Sequence, residues 1–139
     1  MTDLERNKHV LRDFIQAVWV EGNLDALGDF WIEDCVNHAM PGPENRGLVA
    51  LRAYHEGFAQ WFAAFSDMHL DILQQIAEGD RVLTYIAARL RHTGPFQGVP
   101  PTGRTVTMAS MRIDRLQEGK IAEHWSVADV AGLMQQLLG

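Results

Sequence analysis

The spacing of hydrophobic residues changes from a helical to a strand period near the middle of the chain. In the first half, apolar residues recur every three or four positions, as in amphipathic helices. Three such stretches predict helices: one that starts at Thr2, a short one over 24–30, and one that begins near Gly47. After Ser66 the apolar and polar residues alternate, which is the period of a half-buried strand. We therefore expect helices first and strands second.

Local signals support the bounds of the first elements. Thr2 and Glu5 form a capping-box pattern, which is typical of a helix start. The glycine and asparagine at 22–23 are predicted to end that helix, and Pro-Gly-Pro at 41–43 breaks regular structure. Between these breaks, residues 35–38 are predicted to form a brief extended segment.

The second half of the chain predicts a meander of about four long strands and a short terminal helix. Two tight turns separate neighbouring strands, one around Gly79 and one around Gly119. The third strand is expected from about Arg104 to Arg115, after a loop at 94–103 that is rich in glycine and proline. This order predicts an α+β fold, in which a strongly curved antiparallel sheet is covered on one face by helices. Such a sheet encloses a conical pocket suited to a small ligand.

Composition bounds the class of protein. The chain has 139 residues, of which 47% are hydrophobic and 22% charged. These values are typical of one globular domain, so we assign residues 1–139 to a single domain. The formal charge is −6, with no cluster of basic residues, which argues against a nucleic-acid partner.

Other features indicate where the protein works. No apolar run reaches the length of a membrane-spanning helix, and the charged first residues lack the apolar core of a signal peptide. The single cysteine, Cys35, excludes an internal disulfide framework. We therefore expect a cytoplasmic protein without a membrane partner.

The last twenty residues carry the strongest candidate chemistry. Glu123, His124 and Asp129 lie within seven residues of one another, on or beside a predicted apolar strand. A structural interpretation is also open, in which Glu123 and His124 are solvated and Asp129 caps the final helix. Spacing alone does not decide between the two interpretations.

Five segments together resemble the SnoaL-like polyketide cyclases, and the similarity extends over nearly the whole chain. They are residues 34–38, 64–69, 96–104, 119–125 and 129–137. The resemblance implies an NTF2-like cone, shared with ketosteroid isomerase and limonene epoxide hydrolase. It also implies a homodimer or homotetramer packed sheet to sheet. For the characterised cyclases it implies an intramolecular aldol closure of an aromatic polyketide ring, with no metal and no cofactor.

The resemblance also implies a catalytic residue, because the acid/base carboxylate of the family matches Asp129. Aldol closure needs a proton removed from a carbon between carbonyls, and a buried carboxylate of raised pKa can transfer it. Asn37, His38 and His92 are the donors expected to stabilise the enolate. As structural alternatives, Asn37 and His38 satisfy backbone groups in an irregular segment, and His92 is exposed.

The expected pocket walls are aromatic. The third helix carries Phe58, Trp61 and Phe62, and aromatic residues at helical spacing belong to the core more often than to a ligand site. Such a helix can also wall a pocket for a flat, apolar or aromatic small molecule, and we expect Trp125 to join it.

Strict alternation separates His124 from Asp129. It puts Asp129 on the same strand face as Glu123 and Trp125, and His124 on the opposite face. We therefore assign His124 to an oligomer face or a structural hydrogen bond, and keep substrate contact as an alternative.

The preceding strand complicates the assignment. The resemblance implies polar partners for the catalytic acid on this strand, but the face with Thr107, Ala109, Met111 and Ile113 is mostly apolar. The opposite face carries Met108, Ser110, Arg112 and Asp114. The alternative that the chain handles another small apolar ligand therefore remains.

Three hypotheses about the function are consistent with these features. The first is a cofactor-independent cyclase or isomerase-like enzyme that acts through Asp129. The second is a non-catalytic module that binds a hydrophobic metabolite, and the third is a protein-interaction module. Epoxide hydrolysis of the limonene type would need a second carboxylate, which Glu123 could supply. No pair of histidines has the spacing of metal ligands with a third ligand nearby, so we predict no metal site.

Overall fold

Four α-helices and five strands form the protein in the computed structural model, which describes residues 1–139. The helices are α1 (Asp3–Phe14), α2 (Leu27–Phe30), α3 (Leu48–Trp61) and α4 (Val130–Leu138). The strands are β1 (Trp31–Asn37), β2 (Phe65–Glu78), β3 (Arg81–His92), β4 (Thr105–Gln117) and β5 (Lys120–Ala128). The predicted α+β class is confirmed. None of the helices has the length and hydrophobicity of a membrane span.

The first helix starts where the capping box predicts. The Thr2 hydroxyl accepts a hydrogen bond from the backbone N–H of Glu5 at 3.2 Å. Beyond Phe14 the backbone widens into a π-helical segment over Ile15–Val20, and a 3₁₀ turn at Leu24–Ala26 leads into α2. The helical region therefore ends just before residues 22–23, as expected.

The sheet has the order β1-β5-β4-β3-β2, with β2 to β5 forming the predicted antiparallel meander. The extended segment expected at 35–38 is a true strand that begins earlier, at Trp31. It pairs in parallel with β5, so that Asn37 lies opposite His124. The sequence did not predict the full length of this edge strand or its parallel pairing, because its partner lies near the far end of the chain.

Tight turns and bulges shape the sheet. Glu118 and Gly119 join β4 to β5 with φ angles of +51° and +81°, the left-handed pair of a two-residue hairpin turn. The pairing of β2 with β3 shifts register twice, between Ser66 and His69 and between Ile72 and Gln74. Such irregularities bend strands, and here they curve a sheet whose strands reach 14 residues.

Two hydrophobic clusters pack on the inner face of the sheet, the face toward α1 and α3. The larger one joins α1 and α2 to the sheet and includes Leu11, Phe14, Trp31, Val82 and Ile121. The smaller one lies under α4 and the 93–104 loop and includes Leu90, Phe96, Val106, Leu133 and Leu137. Ile86 of the first cluster and Met108 of the second line a cavity.

Candidate active site

An apolar cavity of about 100 Å³ lies between the helices and the inner face of the sheet. Hydrophobic side chains make up most of its wall, among them Ile15, Trp19, Phe58, Phe62 and Leu70. A wider, shallower cleft of about 390 Å³ adjoins it, because Tyr54, Phe58, Met108 and Ala128 line both. Cavity and cleft together reach the size range of small-molecule sites.

The polar residues that β4 and β5 contribute to the cavity wall are all even-numbered. Ser110 and Arg112 line it from β4, and His124 and Ser126 from β5. The expectation that His124 points away from the pocket is therefore wrong. The reason is a bulge, because Ile121 and Ala122 are both buried opposite Leu116, and the alternation reverses after them.

Four polar residues of these two strands, Arg112, Asp114, His124 and Ser126, form what we call the polar cluster. The Arg112 guanidinium donates two hydrogen bonds to the Asp114 carboxylate, from Nε at 2.8 Å and from Nη2 at 2.9 Å. His124 Nδ1 lies 2.8 Å from Asp114 Oδ1, and His124 Nε2 lies 3.1 Å from Ser126 Oγ. Asp114 has no exposed surface, and Arg112 is only 7% exposed.

The geometry assigns the tautomer of His124. A carboxylate only accepts hydrogen bonds, so the short contact with Asp114 requires the proton on Nδ1. Nε2 is then an acceptor, and the Ser126 hydroxyl donates to it. Arg112 Nη2 lies farther from Nδ1, at 3.3 Å. In the neutral ring this arrangement leaves the basic nitrogen, Nε2, at the cavity wall.

The electrostatics agree with this assignment. Burial alone would raise the pKa of Asp114, but the charge of Arg112, with hydrogen bonds from Arg112 and His124, lowers it. Burial lowers the pKa of His124, the nearby Arg112 charge lowers it further, and Asp114 opposes both only in part. At neutral pH the pair is thus an ionised carboxylate and a neutral imidazole.

A phenol from α3 completes the site. Tyr54 lines the cavity, and burial raises the pKa of its hydroxyl, an effect that neighbouring Ser126 partly offsets. A phenol of raised pKa stays protonated and can donate a hydrogen bond to a bound molecule. Arg112 also lies over the Phe14 ring at 5.0 Å, which fixes the guanidinium beside the cavity.

Several of the predicted site residues meet at this cavity. Phe58, Phe62 and His124 line the cavity itself, and Trp61 lines the adjoining cleft with Phe58. Trp61 also packs edge-on against Phe96 of the 93–104 loop, with ring centroids 4.8 Å apart. The third helix therefore contributes both core and pocket wall, as its aromatic spacing predicts.

Asp129 lies outside the cavity, at the N-cap of α4. Its exposed carboxylate accepts a hydrogen bond from the backbone N–H of Gly132 at 2.8 Å. Its neighbours Ala128 and Val130 line the cleft, but Asp129 is not among the lining residues. The buried position expected for Asp129 is wrong, because a capping carboxylate must point back along the helix start.

His92 and Asn37 are buried but do not line the cavity. His92 has no exposed surface, contrary to the structural alternative, and its Nδ1 accepts a hydrogen bond from the Thr102 backbone N–H at 3.2 Å. The Asn37 side chain accepts from the Ala39 backbone N–H at 3.0 Å. Both keep one buried nitrogen without a protein partner, His92 Nε2 and Asn37 Nδ2.

His38 and Trp125 lie on the outer face of the sheet, so their expected contact with the pocket is wrong: Trp125 points outward because of strand parity, and His38, just after β1, stacks on it. Their rings stack with centroids 4.8 Å apart, and Arg81 lies over the Trp125 ring at 5.1 Å. His38 Nε2 is 2.7 Å from Glu123, whose other oxygen accepts from Arg115 at 2.9 Å. These residues form a solvated network rather than part of the cavity.

Sequence reasoning did not assign functional roles to Arg112, Asp114, Ser126 or Tyr54. A usable signal was present, because polar residues recur at period two inside β4, where an apolar run is expected of a covered strand. In the observed register Asp114 lies opposite His124 and Arg112 opposite Ser126. A buried charge requires a partner across the sheet, so the cluster follows once the pairing is known.

Two polyketide cyclases are similar to this chain in sequence. The aklanonic acid methyl ester cyclase DnrD of Streptomyces peucetius is 31% identical over 135 residues, which cover 92% of this chain and 88% of that one. DauD of Streptomyces sp. strain C5, also an aklanonic acid methyl ester cyclase, is 29% identical over 92% of this chain and 79% of its own.

A solved structure has the same fold. IdmH from Streptomyces antibioticus superposes with a TM-score of 0.81 and 27% identity, over 96% of this chain and 99% of that one. The predicted curved-sheet cone of NTF2-like type is thereby confirmed. The family model described as SnoaL-like polyketide cyclase matches residues 9–137, and the chain belongs to this family.

Proposed function

We propose that this chain is a cyclase-type enzyme that closes a carbon ring on a small, flat polycarbonyl or aromatic substrate by acid/base proton transfer. The observation that carries the proposal is the neutral His124, held by ionised Asp114, with Nε2 at the wall of an apolar cavity. The chemistry needs no cofactor, because the carbonyl groups of the substrate stabilise the enolate.

His124 acts as the base in this mechanism. Nε2 takes a proton from a carbon between two carbonyls, and the resulting imidazolium is stabilised by Asp114 at Nδ1. The enolate carbon then attacks a second carbonyl of the same molecule. The imidazolium returns the proton to the new alkoxide, so the enzyme ends in its starting state.

Two neighbours supply electrostatic stabilisation. Negative charge develops on the enolate oxygen and then on the alkoxide, inside a cavity whose wall is mostly apolar. Arg112 and Tyr54 both line that cavity and carry hydrogen-bond donors. A wholly apolar cavity would favour a passive binding module, and the polar cluster therefore favours an enzyme.

The relatives suggest the first substrate to assay. DnrD and DauD are named for ring closure of aklanonic acid methyl ester. We expect the purified chain to cyclise this ester or a related polycarbonyl ester, followed by liquid chromatography and mass spectrometry. Absence of ring closure across such a panel, with the protein folded, would overturn the proposal.

Two variants identify the base. His124→Asn keeps a donor toward Asp114 but removes Nε2, and we expect the rate of ring closure to fall by about 10²–10⁴. Asp129→Asn keeps the helix cap, and we expect a near wild-type rate. The reverse result, activity lost only in Asp129→Asn, would assign the base to Asp129 as the family resemblance implies. Circular dichroism of each variant serves as the folding control.

A further inference from the structure

We infer that Ser126, His124 and Asp114 also form a nucleophilic triad, which gives the chain an esterase activity toward small apolar esters. This activity is distinct from ring closure, because it passes through a covalent acyl group on Ser126. The arrangement consists of a hydroxyl, an imidazole and a carboxylate in one hydrogen-bonded row.

The distances match what such a row requires. Ser126 Oγ is 3.1 Å from His124 Nε2, and His124 Nδ1 is 2.8 Å from Asp114 Oδ1. Both values fall within the hydrogen-bond reach that marks a nucleophile and a base oriented by a third group. Triads are recognised by such geometry and roles, whatever the order of the residues in the chain.

The protonation states are also those of a resting triad. Asp114 is fully buried and bound by Arg112 through two hydrogen bonds, so it stays an anion beside Nδ1. The Ser126 hydroxyl therefore faces a free Nε2 and can donate its proton there. Imidazolium formation during attack is compensated by the carboxylate, which is the role of the acid in a triad.

Donors for the developing oxyanion line the same cavity. Arg112 uses Nε and Nη2 within the polar cluster, and the structure gives Nη1 no protein acceptor. Tyr54 adds a phenol beside Ser126. A tetrahedral intermediate on Ser126 would therefore form next to a cation and a hydroxyl, both in a largely apolar site.

The reaction balances with water as the only co-reactant. Ser126 Oγ attacks the ester carbonyl while its proton passes to Nε2, and the intermediate collapses as the C–O bond to the alcohol breaks. The imidazolium gives that proton to the departing alkoxide, leaving an acyl-enzyme and a free alcohol. Water then attacks the acyl group, with its proton taken by Nε2; the acyl C–Oγ bond breaks, the imidazolium returns the proton to Ser126 Oγ, and the acid leaves.

The cavity limits the class of ester. The inner volume of about 100 Å³ admits a short acyl chain, and the adjoining cleft, walled by Phe58 and Trp61, suits a flat aromatic alcohol. p-Nitrophenyl butyrate has both parts and releases a coloured product. Phenylmethanesulfonyl fluoride has a similar shape and leaves a stable adduct on an activated serine.

The sequence makes the adduct easy to locate. The chain has three serines, and trypsin puts each in a different peptide, with Ser66 in 53–81, Ser110 in 105–112 and Ser126 in 121–139. We expect the sulfonyl adduct in peptide 121–139 of the wild-type protein, with fragment ions placing it on Ser126. An adduct confined to another peptide, or none under conditions that label a serine esterase, would overturn the inference.

The rate of ester hydrolysis in variants tests the role of Ser126 as the nucleophile. We expect hydrolysis of p-nitrophenyl butyrate to fall by at least about a hundredfold in Ser126→Ala, and Ser66→Ala to match the wild type. Retained hydrolysis in Ser126→Ala would overturn the triad. The wild-type adduct needs no variant, so the test holds even if Ser126→Ala folds poorly. The labelling experiment also needs no polyketide. A negative result for the triad is therefore distinguishable from a failure of ring closure.

Discussion

Single residues in this molecule are held in charge states that their burial would not favour alone. Asp114 has no exposed surface, and an isolated carboxylate there would take up a proton rather than remain charged. Arg112 prevents this through two hydrogen bonds, and His124 adds a third. The base of the proposed reactions is therefore oriented by a residue that itself depends on a cation.

His55 shows the opposite outcome, because it is buried without a charged partner. It packs among the rings of Phe14, Trp19 and Tyr54 and donates from Nδ1 to the Leu51 carbonyl at 3.0 Å. Burial lowers its pKa from 6.5 to about 4. The folded state therefore binds this proton more weakly than the unfolded state does.

The resulting prediction concerns stability and pH. The pKa of His55 is lower in the folded state. The contribution of neutral His55 to the free energy of unfolding is therefore complete above pH 6.5 and is lost as the pH falls toward 4. We expect the free energy of unfolding to fall by up to about 3 kcal/mol across this window from His55 alone. The lowered pKa of His124 acts in the same direction.

Urea unfolding at a series of pH values measures this effect. We expect a shallower decline in His55→Met, because the buried titrating group is gone. His69→Met is the matched control, since His69 is exposed beside Asp71 and we expect its decline to match the wild type. Parallel curves for His55→Met and the wild type would contradict the prediction.

At the scale of elements, the sequence predicts where the helices and strands lie better than it predicts which face a strand presents. Period-two spacing predicted β2 to β5, and glycine turns predicted their hairpins. The bulge at Ile121 and Ala122 reversed the alternation of β5. A shift of one residue changes the face of every following side chain, so His124 and Trp125 exchanged their expected places.

Asp129 belongs to the start of α4 and not to β5, which ends at Ala128. Its carboxylate accepts from Gly132 N–H and satisfies one of the free donors at the start of α4. We expect Asp129→Ala to lower the free energy of unfolding by about 1 kcal/mol, and Asp129→Asn to change it little, because asparagine caps equally well.

Chemical denaturation of these two variants provides the measurement. Thr2→Ala is a useful comparison, since Thr2 caps α1 through the N–H of Glu5 in the same way. Equal stability of Asp129→Ala and the wild type would mean that the observed hydrogen bond contributes nothing to folding. The result does not depend on any catalytic assay.

At the scale of the whole molecule, the active site depends on contacts that local patterns do not encode. Tyr54 comes from α3, and the polar cluster comes from β4 and β5, so the site forms only when the sheet closes against that helix. The family resemblance predicted the cone because it covers nearly the whole chain. The residues within the cone required the register that pairs Asp114 with His124.

The outer face of the sheet carries an apolar surface that the helices do not cover. Neighbouring strands bring together odd-numbered side chains in register, and we call this set the outer apolar face: Leu83, Tyr85, Met111, Ile113, Trp125 and Val127. Ile113 is 38% exposed, and Met111 and Val127, which also border the cavity, are 44% and 73% exposed. Arg81, Arg115 and Glu123 lie beside it, so the surface has an apolar centre and a charged rim.

A contiguous apolar patch with a polar rim is characteristic of an interaction surface, and we predict that a second copy of this chain covers it. Sheet-to-sheet packing would bury Ile113 and Trp125 at the centre of a two-fold interface, where each patch meets itself. Light scattering after size exclusion should then give a mass of at least twice 15.6 kDa.

Ile113→Lys places a charge at the centre of this interface and should shift the protein to monomer. Val49→Lys is the control, because Val49 is 88% exposed on α3, away from the sheet, and should leave the mass unchanged. A wild-type monomer at micromolar concentration, or an oligomer that survives Ile113→Lys, would contradict this arrangement.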